Sequence, residues 1–176
     1  MAGTERIVLG GGCFWCTEAV FQMFKGVVKT TPGYSGGSTS NPNYEEVAYK
    51  GNPGNHAEVL EIEYDPSVIT LEKLLKIFFR MHDPTSVDFQ GAADYGPQYR
   101  SIVLYTTEEQ KKATGRFIDE ARKDYSKPIA TEVKKLGVFY PAEEEHKDFY
   151  KRNPLNPYCV FVTRPEVNKI KKEFNL

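Results

Sequence analysis

The stretch RIVLGGGCFWCTEAVFQMF, residues 6–24, passes from a short apolar segment through three glycines into a periodic one. RIVLG (6–10) reads as a buried strand, and Val20, Phe21 and Phe24 recur at helical spacing after the glycines. The junction predicts a strand followed directly by a helix, with Cys13 in the helix's first turn. A cysteine there gains from the partial positive charge of the helix end and from free backbone N–H groups, both of which favour the thiolate. A small cysteine buried in an aromatic core is the competing reading.

Working outward, VVKTTPGYSGG (27–37) starts as a strand and ends in turn residues, and STSNPNYEEVAYKGNPGN (38–55) is irregular with one helical turn. HAEVLEIEYDP (56–66) is the clearest strand, and TLEKLLKIFFRMH (70–82) the clearest amphipathic helix. A second irregular segment, DPTSVDFQGAADYGPQY (83–99), precedes a strand over 100–106, a helix over 108–123 and a strand over 129–135. A helix over 142–152, the short apolar YCVFV (158–162) and a helix over 165–174 complete the chain. Strands and helices mix without a strict β-α-β rhythm, which predicts an α+β fold. With no repeat or linker-like shift, residues 1–176 are expected to form one domain.

The 23 basic and 24 acidic side chains nearly cancel, so nothing draws the chain to nucleic acid or to anionic lipid. No segment approaches the roughly 20 apolar residues of a membrane span. The amino-terminal stretch lacks the layout of a secretory signal, and the cytosol is the expected compartment. Thiols there are kept reduced, so three cysteines suggest reactivity or burial rather than a disulfide framework.

Cys13 and Cys16 have the C-x-x-C spacing used in thiol–disulfide exchange. Zinc would need four ligands, and His56, His82, His146 and Cys159 are scattered singly, so no metal is expected. Alternation along HAEVLEIEYDP puts Glu58 on the face of Leu60, Ile62 and Tyr64. A carboxyl held on an apolar face resists ionisation and keeps a proton to donate near neutral pH; a solvated place at the strand's start is the alternative. Tyr34, Tyr44, Tyr95 and Tyr99 lie in or beside the irregular segments, where phenol hydroxyls can aim at a polar oxygen. The three histidines each read as surface or capping residues.

Taken in order, GGCFWC (11–16), GYSGG (33–37), NPNYEEV (41–47), HAEVLEIEYDP, HDPT (82–85), QYRS (98–101), FYPAEEEHKDFY (139–150) and NPYC (156–159) resemble the peptide methionine sulfoxide reductases of the A type. The resemblance runs over nearly the whole chain and is specific as a set. It implies a two-layer α/β sandwich with a ferredoxin-like core and long irregular segments. It places Cys13 on the catalytic nucleophile, Phe14 and Trp15 on the aromatic wall for the substrate's methyl group, and Glu58 on the general acid. Tyr44 and Tyr99 match groups that hold the sulfoxide oxygen with Glu58, and Asp94 matches an acidic residue of the same pocket. GNPGNHAE (51–58) and QGAADYGPQY (90–99) each carry one residue more than the commoner spacing.

The activity so implied is reduction of methionine-S-sulfoxide, free or in oxidised peptides and proteins, through a Cys13 sulfenic acid and then an intramolecular disulfide. Thioredoxin or a similar dithiol would reduce that disulfide, and no cofactor is called for. Cys16 and Cys159 both qualify as the resolving thiol, with proximity favouring Cys16. A monomer is implied as well. A general thiol–disulfide oxidoreductase built on Cys13 and Cys16 is the competing enzyme, and a redox-sensing or metal-binding module the competing non-enzyme.

Overall fold

The structure, a computed structural model, describes residues 3–176; Met1 and Ala2, with their part of the amino-terminal reading, lie outside the described residues. The elements are β1 (Glu5–Gly10), α1 (Phe14–Phe21), β2 (Val27–Ser35), α2 (Tyr44–Ala48), β3 (Ala57–Tyr64), α3 (Leu71–Met81), β4 (Phe89–Gln90) and β5 (Asp94–Tyr95). Then follow β6 (Ile102–Tyr105), α4 (Glu108–Ala121), β7 (Glu132–Lys135), β8 (Tyr140–Pro141), α5 (Phe149–Arg152) and α6 (Arg164–Phe174).

Six strands form one sheet in the order β7-β6-β1-β3-β2-β8, antiparallel except where β7 joins β6. The inner four strands with α1 and α3 trace β-α-β-β-α-β in the order β6-β1-β3-β2, the ferredoxin-like arrangement. Helices pack on one face: Leu9, Leu60, Ile62 and Val103 meet Val20, Phe21, Leu74, Phe78, Ile118 and Ile170 in the main core. The other face carries a smaller cluster of Val8, Val59, Ile102 and Leu104, covered by Leu136 and Phe139 from the chain between β7 and β8. The molecule is an α+β sandwich. No helix among the described residues is long and apolar enough to cross a membrane.

Local chemistry explains the regular parts. At α3 the Thr70 hydroxyl accepts from the Lys73 N–H at 3.1 Å, closing the first turn, while Leu74, Leu75, Phe78 and Met81 share the buried stripe. In β3 the even positions Glu58, Leu60, Ile62 and Tyr64 are all buried, and Glu61 and Glu63 keep partial exposure.

Two local expectations are corrected, and one segment left unassigned takes a shape. The first helix begins at Phe14, so Cys13 is its cap, with extended backbone at φ −67° and ψ 133°. The expected helix over 142–152 is a 3-10 turn, Glu144–His146, followed by the short α5. Asp148 between them is left-handed at φ 53°, its N–H donating to Glu18 Oε2 at 2.9 Å while its Oδ1 accepts from Gln22 Nε2 at 2.7 Å. These bonds to α1 override helix propensity. YCVFV lies largely in a π-helical turn, Cys159–Thr163, that runs into α6.

Candidate active site

The site forms where the glycine segment after β1 opens into α1. Gly12 holds φ +90°, a conformation that disfavours any side chain, and a Cβ there would come within 3.3 Å of Asp94 Oδ2. That close approach lets the Cys13 N–H donate to the same oxygen at 3.2 Å. One residue on, the Phe14 N–H donates to Glu58 Oε2 at 3.1 Å. Two free amides at the start of α1 thus meet two carboxyl groups, one from the β5 hairpin and one from the central strand β3.

Glu58 is 1% exposed, and its second oxygen, Oε1, has no hydrogen-bond partner among the described residues. Burial pushes its pKa up to about 8, against the pull of the Phe14 N–H and the Cys13 thiol; the Asp94 charge adds to the rise. The group is therefore largely protonated at neutral pH. Asp94 is raised too, chiefly by burial, with its two oxygens taking the Tyr158 hydroxyl at 2.8 and 3.0 Å.

Cys13 departs from expectation. The thiol is pushed well above its ordinary range by burial first, then by the negative charges of Glu58, Cys16 and Asp94; the backbone of Trp15 works weakly the other way. Desolvation and two carboxylates outweigh the helix end, and the resting group is a thiol. Cys16 stands in the first turn of α1, its thiol 3.7 Å from the Tyr158 hydroxyl and 3.2 Å from Thr163 Oγ1. Both are buried in one cluster with Phe14, Tyr34 and Val47. Cys159 is a free thiol, fully buried and outside that cluster, in the π-helical turn that also presents Thr163.

Aromatic rings surround this corner. Phe14 is fully buried against Tyr34, with ring centroids 5.7 Å apart, and against His146 at 5.3 Å. Trp15, Tyr44 and Tyr99 are half-buried around it. Tyr44 and Tyr99 have hydroxyls pushed up by burial and then by the charges of Glu58 and Cys13, so both remain donors and lie in the same electrostatic neighbourhood. Phe149 stacks on Trp15 at 3.7 Å with the planes 6° apart. Tyr95 is exposed on the hairpin, whereas Tyr34 is fully buried and donates to Glu143 Oε1 at 3.0 Å. A separate cavity of about 270 Å³ reaches Cys13 from beside Asp94, Gln90, Glu166 and Lys169. Glu166 there is raised to about 7 by burial and then by Asp94.

The structure brings together Cys13, Phe14, Trp15, Cys16, Tyr44, Glu58, Asp94 and Tyr99; Cys159 lies outside that cluster but meets the Thr163 hydroxyl that Cys16 also contacts. Two histidines, His56 and His146, are more enclosed than expected, whereas His82 caps α3 as expected. His56 is 2% exposed and bonded to Asn52 and Thr39, and His82 is held between Phe78 and Ser101 with its pKa lowered by burial to about 4. His146 is 3% exposed and touches the site itself. Tyr158, Glu143 and Phe149 were also missed as site residues; the one available signal was their place within the quoted family segments, since the charged run around His146 resembles a solvated helix face.

Comparison with known proteins returns one family. The family model described as peptide methionine sulfoxide reductase matches residues 5–175. The chain is 49% identical over 170 residues to "Peptide methionine sulfoxide reductase MsrA" of Saccharolobus solfataricus, covering 97% of this chain and 94% of the relative. Among solved structures, reduced Mxr1 from Saccharomyces cerevisiae superposes with a TM-score of 0.82 at 35% identity, over 90% of each chain. Mxr1 in complex with Trx2 gives 0.59 at 27% identity, over 84% of this chain and 86% of that one.

Proposed function

The chain belongs to the peptide methionine sulfoxide reductase family, and from that premise we propose how its site carries out the reaction. It reduces methionine sulfoxide, and a thioredoxin-type dithiol returns the enzyme to its starting state. One observation carries the reading: a buried, protonated Glu58 with a free oxygen stands beside Cys13 where the first amides of α1 converge.

Glu58 donates its proton to the sulfoxide oxygen as Cys13 Sγ attacks the sulfur. The thiol proton passes to the newly ionised Glu58, so the carboxyl is restored. The oxygen leaves on Cys13 as a sulfenic acid; the substrate sulfur gains two electrons and departs as the thioether, and the Cys13 sulfur loses two. Tyr44 and Tyr99 serve as hydroxyl donors to the same oxygen, and Asp94 fixes the Cys13 amide. Trp15, backed by Phe14, receives the methyl group. Oriented donors on one side and an aromatic surface on the other favour one configuration at sulfur, the S epimer.

The resolving thiol in this reading is Cys16. It lies in the first turn of α1, three residues after the cap Cys13, and its sulfur lies within reach of the Tyr158 hydroxyl. Attack of Cys16 on the sulfenic sulfur expels the hydroxyl, which leaves as water by keeping its own hydrogen and taking the Cys16 proton, giving one disulfide and one water. The dithiol then reduces the disulfide to two thiols. The reading takes residues 1–176 as one domain, working as a monomer in the cytosol. Incubation with the separated S and R epimers and dithiothreitol tests it: methionine is expected from the S form, and absence of turnover, or equal turnover of both forms, overturns the assignment.

A further inference from the structure

We propose that His146, oriented by Glu143, is a positioning residue that fixes the indole of Trp15 where the substrate is held; what the indole receives rests on the sulfoxide reductase reading. The Trp15 Nε1–H donates to His146 Nδ1 at 3.0 Å. His146 is 3% exposed, with Tyr44 4.3 Å away and Phe14 5.3 Å away between ring centroids. The indole is therefore held at its edge by His146 and on its face by Phe149.

The direction of that bond decides the tautomer. An indole N–H is only a donor, so Nδ1 must offer its lone pair, and the neutral imidazole then carries its proton on Nε2. Nε2 has no hydrogen-bond partner among the described residues and faces Glu143 Oε2 and Glu145 Oε1, each 3.8 Å away. Glu143 is itself tied down, one oxygen accepting from the Tyr34 hydroxyl at 3.0 Å and the other from the Tyr44 N–H at 3.1 Å. A carboxylate facing an N–H favours the proton at that nitrogen, which keeps Nδ1 free for the indole.

The same three side chains bring ligand atoms within 4.8 Å of one another, as a cation site would. A cation on Nε2 would need the lone pair there and would shift the proton to Nδ1. Two donors, Trp15 Nε1–H and His146 Nδ1–H, would then oppose each other across 3.0 Å. The arrangement suits orientation of Trp15 and opposes metal binding.

The chain has one tryptophan and three histidines, so its nitrogen NMR spectrum has a single indole N–H and few ring nitrogens to assign. In the wild type, His146 is expected to be protonated on Nε2 and bare on Nδ1, and the indole proton to exchange slowly with solvent. His146→Phe should move the indole resonance toward that of a free indole. It should also raise KM for a methionine sulfoxide peptide roughly five- to tenfold while kcat stays within about twofold, the size of one neutral hydrogen bond. His146→Gln, whose amide oxygen can accept from the indole, should recover most of both effects. A proton on Nδ1 in the wild type overturns the proposal without any variant, as does an unmoved indole resonance in His146→Phe, or a moved resonance with unchanged KM. Should the wild type leave sulfoxide unreduced, the activity reading fails, while the spectrum still decides the Trp15–His146 pair.

Discussion

The Phe14 N–H lies 3.1 Å from Glu58 Oε2, joining the first turn of one helix to a strand 44 residues further along the chain. The bond fixes the acid without saturating it, since Oε1 has no hydrogen-bond partner among the described residues. The carboxyl is thereby held beside Cys13 with one oxygen free for a substrate.

Replacing that acid tests its role. Glu58→Gln should slow methionine release in a single turnover by about a hundredfold or more, the usual worth of a positioned proton donor. In the wild type the rate should decline as pH rises through about 8, where the carboxyl ionises, and the glutamine variant should lack that decline. Identical pH profiles for the two proteins would remove Glu58 as the donor.

Stability should fall over the same range. Glu58, Glu18 and Glu166 have folded pKa values raised from 4.5 to about 8, 7 and 7, so the folded state binds protons that the unfolded chain has released. Their contribution is full below the unfolded value of 4.5 and is lost as pH rises through 7 to 8. His82 acts in the opposite sense, between its folded value of about 4 and its ordinary 6.5. The net loss is therefore clearest above pH 6.5. Urea midpoints at pH 6.5 and 8.5 should show it, with a smaller difference in Glu58→Gln; a rising midpoint would contradict the sign.

The two remaining cysteines should behave differently. Cys16→Ser is expected to release one equivalent of methionine and stop, whereas Cys159→Ser should continue to turn over with dithiothreitol. Mass spectrometry of the oxidised wild type should find Cys13 linked to Cys16. A Cys13–Cys159 link in protein oxidised by substrate would reverse the assignment.

Gly12→Ala places a side chain at φ +90°, within 3.3 Å of Asp94 Oδ2. The variant should lose about 1–3 kcal/mol of unfolding free energy from backbone strain. It should also react more slowly at Cys13, because the Cys13 amide and Asp94 must separate. Denaturant unfolding and single-turnover rates measure the two effects separately.

Much of this was readable in advance where one physical pattern dominates. The alternation in β3 foretold the burial of Glu58, and the apolar stripe of α3 foretold its buried face. The C-x-x-C segment foretold two neighbouring thiols. His146 was hidden because its neighbours Glu143, Glu144, Glu145 and Lys147 look like a solvated helix; the Glu18–Asp148 bond instead turns the chain and carries the histidine inward. The state of the Cys13 thiol was misread for a related reason. A helix end is visible in sequence, but the burial and the two carboxylates that outweigh it come from distant elements. Likewise, Cys159 and Cys16 share a neighbourhood around Thr163 only because a π-helical turn precedes α6.

The groups around the attacking sulfur come from two parts of the chain. Cys13, Glu58, Asp94 and Tyr99 lie in or beside the sheet of the first hundred residues, while Glu143, His146, Phe149 and Tyr158 arrive from a largely irregular segment that closes over α1. The groups proposed to touch the substrate, Cys13, Trp15, Tyr44, Glu58 and Tyr99, all come from the earlier stretch, and the later one supplies the side chains that brace them. The last third of the chain thus works as a clamp, and loosening it should cost precision at the sulfur before it costs any reacting group.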